Sequence, residues 1–200
     1  MTVADSTNDQ AFAPREGAIP VLETERLTLC APHPRQARAI VHLANDRRIA
    51  ENVLRLPHPF GMSDAEQFIA AANREPGEAI FTIMHDGEVV GICGVEMRGD
   101  GAEIGFWLGV PYWRHGFATE AVRAVIDFSF GNLGHEALAA GARVSNPASR
   151  RVLEKCGFQW TGVGLYRIRA MESSAPLDRF RLDRRLWASL KSWGRAKEVA

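Results

Sequence analysis

The chain has 200 residues, 46% of them apolar, with 24 basic residues balancing 24 acidic ones. This length suits one domain, and the composition supports a sizeable core and excludes a disordered chain. A net charge of zero gives no global reason to expect DNA, RNA or an anionic membrane as partner.

In chain order, residues 1–19 are polar and aperiodic and read as a disordered leader, with neither a basic n-region nor an apolar h-region. A single domain is expected over 20–190, and 191–200 read as a flexible basic tail. Arg26–Ala31 alternates as a first strand, ended by Pro32 and Pro34. Ala37, Ile40, Val41 and Ala44 recur at helical spacing. The stretch 45–59 is irregular, and Ser63-Asp64-Ala65-Glu66 resembles a capping box that opens a helix through Ala72. Strands follow at 79–84 and 88–97, joined by His85-Asp86-Gly87, whose Asp-Gly supplies the positive φ of a tight hairpin. A third strand covers 102–110, after the turn 98–101.

Ala118, Ala121, Val122, Val125, Ile126 and Phe130 form one stripe of an amphipathic helix, and 137–144 is a short strand. Asn146-Pro147 then opens a helix with Asn as N-cap and Pro in its first turn, and Gly157 stands where a C′ glycine belongs. Strands are expected at 158–163 and 178–187. The order predicts an α/β or α+β fold with a mixed sheet, its parallel part being the unit 102–144.

Chemistry concentrates in Ile104–Ala121, where a strand runs through a tight turn into a helix. The first helical turn leaves N–H groups without partners, and the helix dipole adds positive potential. Small residues at Gly116 and Ala118 leave room for a phosphate or pyrophosphate, beside Arg114 and His115. No G-x-x-x-x-G-K-[ST] is present. The glycines from Gly99 to Gly105 miss the dinucleotide spacing and precede a strand rather than a helix.

The segment Tyr112-Trp113-Arg114-His115-Gly116-Phe117-Ala118-Thr119-Glu120-Ala121 resembles the cofactor turn of the GNAT acetyltransferases. In the branch similar to ribosomal-protein alanine N-acetyltransferases (RimJ/RimL type) it usually reads Y-W-G-K-G-Y-A-T-E-A. Arg114 departs from a frequent Gly. Asn146-Pro147-Ala148-Ser149-Arg150-Arg151-Val152-Leu153-Glu154-Lys155-Cys156-Gly157-Phe158 is similar to N-x-x-S-x-x-V-L-E-K-x-G-F, and Thr24-Glu25-Arg26-Leu27-Thr28-Leu29 to T-x-R-L-x-L. The three motifs stand in the family's order, over roughly residues 22–187.

The resemblance implies a mixed, mostly antiparallel sheet splayed between the strands 102–110 and 137–144, with acetyl-CoA in the gap. It implies pyrophosphate binding by Arg114, His115, Gly116, Phe117, Ala118 and Thr119, and main-chain contacts to the pantetheine arm at Leu108 and Val110. Asn146 and Ser149 fall beside the thiol end. Glu103 matches a carboxylate position facing the acceptor cleft and is the expected general base. Many relatives place a tyrosine acid where this chain has Glu154, which shifts that role to Ser149 or water. The amine must be neutral to attack, and a free α-amine titrates near ~8 and a lysine near ~10.4, so a base or water chain assists.

The implied function is acetyl-CoA-dependent N-acetyl transfer to a primary amine, of a protein N-terminus or a small molecule, in the cytoplasm; a homodimer is compatible. A non-catalytic acyl-CoA-binding module, or a ribosome- or RNA-associated protein using the basic C-terminal segment, stands as alternative. The six histidines lack metal-ligand spacing, so no metal is expected. Cys30, Cys93 and Cys156 are far apart, make no C-x-x-C, and read as buried hydrophobes.

Overall fold

In the computed structural model of the chain, the structure describes residues 19–99 and 101–198. The leader through residue 18, Asp100 of the expected turn and the last two residues lie outside them. Among the described residues, eight strands form one sheet in the order β1-β2-β3-β4-β5-β6-β8-β7. They are β1 (Leu22–Glu23), β2 (Thr28–Cys30), β3 (Ala79–His85), β4 (Glu88–Arg98), β5 (Gly101–Leu108), β6 (Ala137–Arg143), β7 (Gln159–Ile168) and β8 (Ser173–Asp183). Every neighbouring pair is antiparallel except β5–β6, which is parallel. The helices are α1 (Ala37–Ala44), α2 (Arg47–Ala50), α3 (Met62–Ala71), α4 (Phe117–Gly131), α5 (Pro147–Lys155) and α6 (Arg184–Glu198).

The expected hairpin is present: Asp86 and Gly87 take φ of 50° and 79°, between the paired residues His85 and Glu88. Alternation along β5 sorts the two faces of the sheet. Ala102, Ile104, Phe106 and Leu108 pack with Val122, Val125 and Ile126 of α4 and Leu153 of α5 in the larger core. Glu103, Gly105 and Trp107 face the other side, where Trp107 packs against a core built on Ile40, Ala44 and Ala65.

The structure corrects several expectations. The strand expected through residue 110 stops at Leu108, because Val110-Pro111-Tyr112 forms a 3-10 turn whose proline cannot donate to a ladder. Gly61, not Ser63, precedes the first turn of α3, and its N–H donates to Asp64 Oδ2 at 3.0 Å. The irregular stretch contains α2, capped by Asp46, whose carboxylate accepts the Arg48 N–H at 2.8 Å.

The strand expected at 178–187 is β8 through Asp183, and the chain then turns into α6. Residues 191–198, expected as part of a flexible tail, continue that helix. Its Trp187 indole donates to Asp127 of α4 at 2.6 Å, and Lys191 pairs with the same carboxylate at 2.8 Å. Four of the basic residues in this region are locally neutralised: Arg179 by Glu103, Arg181 by Asp183, Arg184 by Glu136 and Lys191 by Asp127. A cationic surface for RNA is correspondingly weakened.

Candidate active site

The turn between β5 and α4 is built from two left-handed residues, Arg114 (φ 67°) and Gly116 (φ 85°). A left-handed residue among right-handed ones turns successive N–H groups toward a common point. Among the described residues, no backbone carbonyl accepts from the amides of Arg114 through Thr119. The Glu120 N–H is the first to enter the ladder, donating to Gly116 O at 3.2 Å. Six donors at the positive end of a 15-residue helix make an anion site. The side chains of Arg114 and His115 are exposed.

This turn is held from the start of the chain. Glu120 Oε1 accepts from Thr24 Oγ1 (2.7 Å) and the Arg26 N–H (2.8 Å), and Oε2 from Arg26 Nε (2.8 Å) and Nη2 (2.6 Å). Arg26 Nη1 donates to His115 O at 2.9 Å, and the guanidinium lies 4.9 Å from the centre of the Phe117 ring. The sequence quoted Thr24, Arg26 and Glu120 in two separate motifs, and the structure joins them in one latch. Burial alone would raise the Glu120 carboxyl, but hydrogen bonds from Thr24 and Arg26 outweigh it and hold it below its usual value.

A depressed carboxyl stabilises the fold fully above its unfolded value of about 4.3 and loses that contribution as pH falls through the lower folded value. Glu120→Gln is therefore expected to melt below the wild type by a constant margin at pH 5–7. Melting curves should show the margin closing below about pH 4; a margin unchanged down to pH 3 would contradict the latch.

The strands β5 and β6 pair only at Ala102–Leu138, Glu103–Ala139 and Ile104–Ala140. Beyond Ile104 and Ala140 they separate, so residues 105–108 and 141–143 edge an open wedge. Gly109 N–H donates to Val90 O of β4 at 2.8 Å. By alternation the Leu108 N–H, one residue back, faces the wedge, and the Leu108 carbonyl is held by the Trp113 indole at 2.8 Å. Val110 lies in the 3-10 turn just beyond.

Asn146 and Ser149 follow the open end of β6. Asn146 Oδ1 accepts the Ser149 N–H at 3.2 Å, and its Nδ2 donates to Ser149 Oγ at 3.0 Å. The Ser149 hydroxyl hydrogen stays available to a ligand. Cys156 is packed where α5 meets α4, and burial pushes its thiol up to about 11. Glu154 is exposed.

On the far side of the wedge, Glu103 is clamped by Arg179 of β8, with Nη1–Oε1 at 2.9 Å and Nη2–Oε2 at 3.1 Å. The Arg179 guanidinium also lies 5.2 Å from the centre of the Tyr166 ring. Glu96, the cross-strand partner of Glu103, takes ion pairs from Arg55 and Arg98. Burial pushes the Glu96 carboxyl up, Arg55 opposes that shift, and Glu78 and Glu103 add to it. A Cβ on Gly105 would meet nothing within 4 Å, so the floor between these pairs is open.

Sequence reading placed Glu103 on this face but missed Arg179, Arg55, Glu96 and Tyr166. Alternation in Asp178-Arg179-Phe180-Arg181-Leu182 signalled outward arginines, but not that β8 inserts between β6 and β7. A separate groove of about 1160 Å³ runs along the outer side of α4 from Gly116 and Thr119 to Lys191. Its lining includes neither Glu103 nor the residues that edge the wedge, so it is not where the wedge chemistry occurs. Among the described residues no group of three His, Cys, Asp or Glu side chains is placed to hold a metal. No described helix is long and apolar enough to cross a membrane.

The sequence model of the family described as "Acetyltransferase (GNAT) domain" matches residues 26–159. The chain belongs to the GNAT acetyltransferases. The N-acetyltransferase p20 of Bacillus licheniformis is 30% identical over 149 residues, covering 71% of this chain and 84% of its own. The RimL ribosomal L7/L12 α-N-protein acetyltransferase, solved with coenzyme A, superimposes with a TM-score of 0.74 at 14% identity, over 82% of this chain and 98% of its own. The spermidine N-acetyltransferase of Vibrio cholerae, solved with CoA and spermine, gives 0.71 at 20% identity, over 82% and 99%. The family and the fold agree: this GNAT chain is an N-acetyltransferase, and it shares its fold with the RimL structure.

Proposed function

We propose that this enzyme moves an acetyl group from acetyl-CoA directly to a primary amine within a ternary complex. The observation that carries this reading is the wedge between β5 and β6, which ends at the turn with six free amides. The amides of Arg114, His115, Gly116, Phe117, Ala118 and Thr119 bind the pyrophosphate, with the Arg114 and His115 side chains adding charge. The free edge of β5 at Leu108, with the Val110 amide beyond it, holds the pantetheine arm, and Asn146 and Ser149 flank its sulfur end.

The bound thioester supplies an activated acetyl carbonyl. The amine nitrogen attacks that carbon, the C–N bond forms, the C–S bond breaks, and the leaving sulfur takes a proton. The Leu108 N–H is positioned to donate to the developing oxyanion. Ser149 Oγ–H supplies the proton to sulfur. Glu103 accepts the proton lost by the amine: the bidentate Arg179 clamp uses one lone pair on each oxygen and leaves the others for a substrate N–H.

Direct transfer requires both substrates on the enzyme together. Initial rates should give intersecting reciprocal plots; parallel lines would instead point to an acetyl-enzyme. Cys156, half-buried with its thiol pushed up to about 11, is a poor nucleophile at neutral pH. Cys156→Ala is accordingly expected to keep kcat within about threefold, and a loss of a hundredfold or more would restore a covalent route.

A further inference from the structure

We propose that the acceptor amine carries an anionic group, and that Arg143 on β6 binds it; the inference rests on the acetyl-transfer reading above. The segment from Glu51 to Arg55 crosses the open wedge on the Glu103 face. At one end the Glu51 carbonyl accepts from Arg143 Nη1 at 2.9 Å. At the other, Arg55 pairs with Glu96 of β4. Between them the Leu54 carbonyl accepts the Arg169 N–H at 2.9 Å, and the Leu54 side chain packs on Ile168, Ala175 and Leu177. The segment thus runs from the β8 side to β4 on the Glu103 face, while the floor at Gly105 stays bare.

The charges on this face are not all paired. Arg179 is matched by Glu103, and Arg55 and Arg98 share Glu96. Beside these three guanidinium groups, Arg143 stands alone without a carboxylate partner among the described residues. Among the described residues its Nη1 reaches a neutral carbonyl, and its Nε is buried without an acceptor. A half-buried cation left this way is costly unless an anion completes it.

Position supports the same conclusion. Glu103 lies opposite Ala139, and Arg143 is four residues further along β6, about 13 Å at the rise of a strand. Side chains reaching inward from both ends shorten that span to the size of an amino acid or a peptide N-terminus. An amine at Glu103 and an anion at Arg143 bridge it across the Arg179 guanidinium, whose Nη1 stands 3.0 Å from where a Gly141 Cβ would lie. Surplus positive charge also lowers the pKa of a bound ammonium and favours the neutral nucleophile. The same charge repels a polyamine.

The test measures CoA release by the wild type, Arg143→Gln and Arg143→Lys with matched acceptors. These are aspartate and glutamate against their amides, the dipeptides Asp-Ala against Asn-Ala, and spermidine. The wild type should prefer the anionic member of a pair by about ten- to a hundredfold in acceptor kcat/KM, the range of one charge-assisted hydrogen bond. Arg143→Gln should erase the preference, Arg143→Lys should keep part of it, and KM for acetyl-CoA should stay unchanged in all three. Whether amino acids or dipeptides react identifies the source of the anion.

Equal use of acid and amide, preference for spermidine, or discrimination surviving in Arg143→Gln would overturn the proposal. So would failure to acetylate any anionic amine by a protein that binds acetyl-CoA. A wild type that does not bind acetyl-CoA indicts the acetyl-transfer reading itself.

Discussion

Gly116→Trp is expected to abolish measurable acetyl-CoA binding, raising Kd at least a hundredfold, roughly the loss of one or two charge-assisted hydrogen bonds, in a protein that still folds. Gly116 takes φ 85°, and a Cβ there would stand 3.3 Å from Arg26 Nη2. Any side chain therefore meets left-handed strain of about 1–2 kcal/mol and disturbs the arginine that holds the His115 carbonyl. An indole also covers the amides that the pyrophosphate needs. Gly116→Ala separates the effects: it carries the strain and leaves most of the space, so it should lower the melting temperature while binding weakens only modestly. Calorimetric titration with melting curves on both variants checks this. Full affinity in folded Gly116→Trp would put the anion site elsewhere.

Glu103→Gln should have the largest effect on turnover, lowering kcat by about 10²–10³, within the range of general acid–base catalysis, with acetyl-CoA affinity unchanged. The carboxylate sits two residues before Gly105, where the wedge opens, and Arg179 holds both of its oxygens. Glutamine keeps the shape and one oxygen but removes the proton acceptor. It also leaves a guanidinium that is 22% exposed facing a neutral group, so a stability loss of about 1–3 kcal/mol accompanies it. Single-turnover rates at saturating acetyl-CoA separate that loss from chemistry. A kcat within threefold of wild type would assign deprotonation of the amine to water alone.

The two halves of the site were unequally legible in the sequence. The pyrophosphate turn is local: strand, glycine with positive φ and amphipathic helix follow one another from Gly101 to Gly131, and backbone amides need no distant partner. Apolar spacing likewise located α1, α4 and α5 to within a residue or two. The acceptor half is assembled from far-apart segments. Arg179 reaches Glu103 only because β8 lies between β6 and β7, and Arg55 reaches Glu96 only because the chain after α2 crosses the sheet.

Neither approach leaves a periodic signal. The end of the chain was misread for a related reason. Arg179-Phe180-Arg181-Leu182 alternates like a strand, and the alternation breaks at Asp183-Arg184-Arg185, but the contacts that fix α6 come from the distant Asp127 of α4. The latch was visible in pieces, since Thr24, Arg26 and Glu120 all stood in motifs, but two motifs give no distance between them.

The most direct test of the account is isothermal titration of the purified protein with acetyl-CoA, with ATP and NAD as controls. The account predicts micromolar binding of acetyl-CoA, no comparable binding of either nucleotide, and loss of the signal in folded Gly116→Trp. A folded wild type that takes up no acetyl-CoA, or binds ATP equally well, would contradict it.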